Sequence, residues 1–173
     1  ALLDKAAAAA ATVAAAAAAN PPPAPPLTLT IDQGFSGSQQ DHEKHPWASV
    51  DLPAGYASGT LKVSWKDQGF GNRKGRLWCR RLCAPYQGWS TGTAWHWLSP
   101  TVAEHSWTQA EFELPVACFE RPYHTPAAEW NRPFTLELAC EVGGGGGHSL
   151  HVRAGATLTL KPPAAAAGPP RPA

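Results

Sequence analysis

The side chains best suited to chemistry crowd into one stretch, Leu61–Leu82, LKVSWKDQGFGNRKGRLWCRRL. Between Lys66 and Arg81 it carries Lys66, Arg73, Lys74, Arg76, Arg80 and Arg81 against a single acid, Asp67. Gly69, Gly71 and Gly75 punctuate its centre, DQGFGNRKG, and let the chain take positive φ at little cost, so a tight turn is expected there. Basic groups beside glycine N–H groups suit a phosphate or an RNA strand, and Phe70 could stack on a base. The same charges could instead dock on an acidic protein surface. A purely structural reading has Asp67 paired with Arg73 or Arg76 to stiffen the turn, the other charges being solvated. Phe70, Arg73, Lys74 and Arg76 are the partner-binding candidates, with a protein partner favoured over nucleic acid. Asp67, Gly69, Gly71 and Gly75 are assigned to the turn itself.

A second candidate surface comes from the eight tryptophans. Trp65 and Trp78 fall in strand-like segments and are read as core. Trp89, Trp95, Trp97, Trp107 and Trp130 fall in or near loops. Loop tryptophans can act as flat platforms for the apolar faces of sugar rings, which makes Trp89, Trp95 and Trp97 the residues of an alternative carbohydrate site. They could equally plug the ends of a β-sandwich.

Other chemistries find less support. Nucleophilic catalysis needs a nucleophile with an adjacent base and oxyanion donors, and no G-x-S-x-G elbow occurs. Glu111, Glu113 and Glu137 sit at outward strand positions, so a carboxylate pair is not indicated. His42 with His45, and His148 with His151, have spacings a metal could use, but both pairs read as surface histidines. No catalytic residue, metal or cofactor is assigned. Cys79 and Cys83 would lie roughly 13 Å apart along one strand, too far to bridge. Buried free thiols are expected, with a Cys118–Cys140 disulfide as the alternative.

The elements that must position these residues read as strands. Leu61, Val63 and Trp65 alternate with Lys62, Ser64 and Lys66, the period-2 pattern of a half-buried strand. Arg76–Leu82 is a second strand, and the two are expected to form a hairpin around Asp67–Gly75. Leu27–Ile31, Trp47–Leu52, Thr93–Leu98, Glu111–Leu114 and Phe134–Cys140 add further strands. The five glycines Gly143–Gly147 form a hairpin tip, followed by His148–Arg153 and Ala156–Lys161 as a closing strand pair. About eight short strands without a helical period between Leu27 and Lys161 indicate an antiparallel β-sandwich or jelly roll.

The ends differ in composition. Ala1–Ala19 is almost all alanine and is expected as a helix stopping near Asn20, because Pro21–Pro23 cannot continue it. The prolines through Pro26 make a polyproline spacer. Residues 1–26 are therefore an arm, 27–161 a β-sandwich domain and 162–173 a Pro/Ala-rich tail. No stretch reads as a transmembrane helix. The formal net charge of +1 makes only local basic clusters attractive to anions. Without methionine, residue 1 is not an initiator, so a processed N-terminus or a piece of a longer protein is expected.

The segment SVDLPAGYASGTLKVSWKDQGFGNRKGRLWCRRL resembles the galactose-binding-like jelly-roll β-sandwich superfamily in general plan. There an alternating strand enters a Gly- and Asn-containing loop and leaves on a basic strand. The resemblance implies a binding module without catalysis, taking sugars, lipids, nucleic acids or proteins. Together these readings point to a non-catalytic structural or accessory subunit of a larger assembly held by protein–protein contacts. A carbohydrate-binding module is the alternative, and RNA or anion binding the weaker one.

Overall fold

The computed structural model describes residues 25–38, 42–68, 71–82, 94–121, 132–144 and 148–164. Their regular elements are nearly all strands: β1 (Leu27–Ile31), β2 (Phe35–Gly37), β3 (His45–Leu52), β4 (Ser58–Asp67), β5 (Arg76–Leu82), β6 (His96–Trp97), β7 (Thr108–Glu113), β8 (Phe134–Glu141), β9 (Leu150–Val152) and β10 (Ala156–Lys161). A 3-10 turn, Val116–Cys118, follows β7. Among the described residues no helix is long and apolar enough to cross a membrane. The alanine helix expected at Ala1–Ala19 lies outside them.

All pairings are antiparallel and fall into two sheets. One runs β1–β10–β4–β7, with β9 pairing β4 beyond β10 and β2 pairing β9; the other runs β3–β8–β5–β6. The interrupted strands make the wiring simple. β1 and β2 are one line broken at residues 32–34, and β9 and β10 are another broken at 153–155. First then pairs with last, β3 with β8, β4 with β7, and β5 with β6, the nested order of a jelly roll.

The two breaks face each other and keep register, Ile31 opposite Ala156 and Phe35 opposite Val152. Gly34 makes this possible, since a Cβ there would lie 3.0 Å from the Val152 carbonyl oxygen. Gly155, at φ +85°, turns the chain on the opposite side and donates its N–H to the Ile31 carbonyl at 2.9 Å.

The core fills the space between the sheets. Leu61, Val63 and Trp65 of β4 point inward as their alternation requires, as do Leu158 and Leu160 of β10 and Leu136, Leu138 and Cys140 of β8. Burying each leucine contributes about 1.5–3 kcal/mol. Trp65 meets Phe112 of β7 edge-to-face, with ring centres 5.3 Å apart. On β5 the inward side chains are Leu77, Cys79 and Arg81, the last only 3% exposed and with its guanidinium 3.8 Å from the Phe134 ring centre.

Five sequence expectations change. β4 and β5 are not a hairpin: β4 belongs to one sheet and β5 to the other, so the chain changes sheets between Asp67 and Arg76. Likewise β8 and β9 belong to different sheets and do not form a hairpin, and β9 and β10 lie in line along β4 instead of pairing with each other. Of the strand expected over Thr93–Leu98, only His96–Trp97 is strand among the described residues. Trp78 is not core, because the phase of β5 turns it outward, half-buried, while Leu77 and Cys79 face in.

The cysteines are free and buried at 79, 118 and 140; Cys83 lies outside the described residues. Cys118 neighbours Cys79, with Sγ atoms 3.9 Å apart, rather than Cys140. Their thiols share a hydrogen bond that holds the Cys79 thiol protonated well above its usual range and eases ionisation of Cys118, which also feels the Arg81 cation. Burial alone pushes the Cys140 thiol up.

Candidate functional site

The crossing from β4 to β5 is built around Asp67, which is wholly buried. Its Oδ1 accepts the Gln68 N–H at 2.6 Å, and its Oδ2 accepts the N–H groups of Lys74 and Gly75, both at 2.7 Å. A carboxylate tying three backbone donors fixes both ends of the loop without an arginine. Arg73 turns outward instead and pairs with Glu104. The expected Asp67–arginine pair is thus replaced by backbone donors to the buried oxygens. Gln68 extends the knot, donating to the Asn72 carbonyl at 3.0 Å and accepting the Ser149 N–H at 3.2 Å, with His148 Nδ1 2.8 Å from the same Oε1.

The glycines have different tasks here. Gly71 adopts φ +79°, as the turn requires. At Gly75 space decides: a Cβ would sit 2.6 Å from Leu150 Cδ1 and 3.3 Å from Asp67 Oδ2. Gly69 lies outside the described residues.

Held this way, the loop delivers Arg73, Lys74 and Arg76 to one open depression of about 450 Å³, lined also by His42, Trp97, Val102, Glu141 and Gly143. Lys74 Nζ donates to the Gly144 carbonyl. The Arg76 guanidinium lies 4.5 Å from the Trp97 ring centre, and Trp97, at 56% exposed, is the most exposed tryptophan described. Arg73 is compensated by Glu104, and His42 Nδ1 lies 3.2 Å from Glu141 Oε1.

The surface continues across the outer face of the β3–β8–β5–β6 sheet. Trp78 meets Trp97 edge-on at 5.6 Å, carries the Lys44 ammonium 4.1 Å from its ring centre, and donates its Nε1–H to Glu141 Oε2 at 2.7 Å. One step along β5, Arg80 bonds Glu137 at 2.6 Å and lies 4.4 Å from the centre of the Trp95 ring. Arg76, Trp78 and Arg80, turned outward by the phase of β5, thus each make a cation–aromatic contact on this face.

Two sets of candidates that the sequence kept apart therefore share one face. Arg73, Lys74 and Arg76 from the basic loop meet Trp97 at the depression, and Trp95 joins through Arg80. Phe70 and Trp89 lie outside the described residues. Lys44, Trp78, Arg80 and Glu141 were missed. The signal for Trp78 and Arg80 was available, because Arg76, Trp78 and Arg80 share the outward parity once Leu77 and Cys79 are taken as core.

The histidine pairs do not converge on a metal geometry. His42 faces Glu141, His148 faces Gln68, and His151 Nδ1 lies 2.9 Å from the Ser36 hydroxyl. No group of three or more candidate ligands occurs among the described residues. A separate cluster on the other sheet places Lys66 and Arg153 5.2 and 4.2 Å from the Trp107 ring centre.

No protein-family model matches the chain, and no curated protein matches it. Among solved structures it is similar to the infectious bursal disease virus VP2 subviral particle, at 15% identity and a TM-score of 0.45 over 79% of this chain and 32% of that one. It is also similar to the infectious bursal disease virus Gx strain structure, at 14% identity and a TM-score of 0.46 over 86% and 33%. The cowpea mosaic virus empty virus-like particle gives 13% identity and a TM-score of 0.24 over 88% and 92%. The chain spans about a third of the length of the infectious bursal disease virus chains.

Proposed function

We propose that this chain is a non-catalytic structural or accessory subunit of a larger assembly, joined to protein partners through the face that holds Arg73, Lys74, Arg76 and Trp97. The carrying observation is the exposed Trp97 ring with the Arg76 guanidinium against it beside an open depression. Tryptophan and arginine dominate the residues that anchor protein interfaces, because each combines a large apolar contact with directed polar groups. Their rigid placement, through the Asp67 knot and the edge-on Trp78, lowers the ordering cost of binding. Glu141 lines the depression and Glu104 pairs with Arg73, so part of its positive charge is offset, a mixed character that suits a protein surface better than a polyanion. The Ala/Pro-rich segments 1–26 and 162–173 are part of the same proposal, as extensions flanking the 27–161 domain that contribute to docking.

Carbohydrate binding is the second reading, favoured by the exposure of Trp97. Against it, the rings of Trp95 and Trp97 each have an arginine stacked near, which competes with a sugar for the flat surface. Binding to a glycan array that disappears with Trp97→Ala would favour sugar. RNA binding by the loop is weaker and would show a steep fall in affinity with salt. The galactose-binding-like label draws its support from the jelly-roll strand order alone.

The assembly reading is tested by the native size of the chain in extracts of its source. Elution well above the mass of a monomer or dimer is expected. Elution at the monomer position across extraction conditions contradicts it.

A further inference from the structure

Among the described residues five strands end a sheet: β1, β2 and β7 in one, β3 and β6 in the other. An exposed strand edge is a template for another strand, and proteins commonly blunt it with charge, proline, bulges or brevity. β2 has three residues and β6 two. β7 carries Glu111 and Glu113, while β3 carries Pro46 and Asp51 and a register shift between Pro46 and Ala48. β1, LTLTI, has none of these devices.

Its burial is also incomplete. Leu27 and Leu29 face the core but stay half-buried, although their partners on β10, Leu160 and Leu158, are fully covered. The apolar layer therefore runs out to the sheet edge. Among the described residues no strand covers that side of β1.

We propose that β1 pairs antiparallel with β1 of a second copy of this chain, about a two-fold axis at Leu29. The strand is complementary to itself in this register. Leu29 lies opposite its own copy, Leu27 opposite Ile31, and Thr28 opposite Thr30. Every opposed pair shares a face, so leucines continue the core layer and threonines continue the solvent row already formed by Thr28 and Thr159, whose hydroxyls are 3.2 Å apart. Such apolar and Thr–Thr cross-strand pairs are the favourable ones, and no like charges meet. Beyond the strand, Asp32 falls opposite Pro26, so the acids of the two copies do not face each other. The result is a closed isologous dimer with one sheet continuous across both sandwiches. It rests on the reading of the chain as an assembly subunit and uses a surface separate from the Arg76–Trp97 face.

Sedimentation equilibrium of the full chain, over a range from micromolar to near-millimolar, tests this. The wild type is expected to dimerise. Thr28→Lys with Thr30→Lys sets lysine against lysine in both symmetric pairs and should weaken dimerisation about tenfold or more. Thr28→Lys with Thr30→Glu sets lysine against glutamate in the same register and should restore it. A wild type that stays monomeric, a dimer untouched by the double lysine variant, or no recovery with the lysine–glutamate variant each overturns the proposal. Failure here with intact partner binding at the Arg76–Trp97 face leaves the assembly reading standing, whereas a dimer that survives when that binding is absent separates them in the other direction.

Discussion

The guanidinium carbon of Arg76 lies 4.5 Å from the centre of the Trp97 ring, which puts a residue of the basic loop and a residue of the tryptophan set in one contact. The two side chains come from neighbouring strands of one sheet, and Trp78 backs the Trp97 ring from its edge. Their arrangement is an arginine–aromatic contact open to solvent.

Trp97→Ala should therefore reduce partner retention about tenfold or more, the cost typical of an interface anchor. Because the ring is mostly exposed, the melting temperature should move by only a few degrees, as checked by calorimetry on the same sample. A large stability loss would make Trp97 a packing residue instead.

Asp67 carries the opposite prediction. Its buried carboxylate holds three backbone N–H groups, so Asp67→Ala strands them and should destabilise the domain by about 2–4 kcal/mol in urea unfolding. An effect below about 1 kcal/mol would mean that the loop is not organised by this carboxylate.

Gly143 and Gly55 form a matched comparison. Both adopt positive φ, +97° and +93°, but a Cβ at Gly143 would lie 2.4 Å from Lys74 Cβ, while at Gly55 nothing lies within 4 Å. Gly55→Ala should cost about 1 kcal/mol for the backbone alone. Gly143→Ala should cost more and displace Lys74, which urea midpoints for the two variants would resolve. Equal losses would show that Lys74 does not pack there.

Cys140 supplies a pH dependence. Its folded thiol is pushed above the unfolded value of about 8.5 by burial. The unfolded chain then releases a proton that the folded chain keeps, so this contribution is complete below about pH 8.5 and declines as pH rises, by up to about 1.4 kcal/mol per unit. The stability advantage of wild type over Cys140→Ala should shrink between about pH 8 and 10. An unchanging difference would contradict a raised thiol; the Cys79–Cys118 pair is common to both proteins and cancels.

Side-chain alternation made the faces of many strands legible. The period-2 pattern of Leu61, Val63 and Trp65 and that of Phe134, Leu136 and Leu138 gave the right buried sets and the all-β class. It could not give sheet membership, because alternation reports which side is buried and not which strand lies alongside. Glycines between two alternating segments look like a hairpin whether the chain turns within a sheet or crosses the roughly 10 Å between sheets, and that ambiguity misplaced residues 67–75. Trp78 and Arg81 were misread for another reason. Hydrophobicity argues for Trp78 inside and Arg81 outside, but Leu77 and Cys79 set the phase of β5, and the cation at 81 is accommodated by the Phe134 ring and the Cys118 carbonyl, 3.3 Å away. The candidate site was legible as residue types but not as one place, since only the fold brings Arg76 beside Trp97.

The most direct test of the assembly account is co-purification from the source of the tagged full chain and of a variant carrying Arg73→Glu, Lys74→Glu and Arg76→Glu. These side chains face the depression and leave the core untouched, so the variant should fold. The account predicts that partner proteins recovered with the wild type are lost, or reduced about tenfold, with the variant. Recovery of the same partners in the same amounts would contradict it.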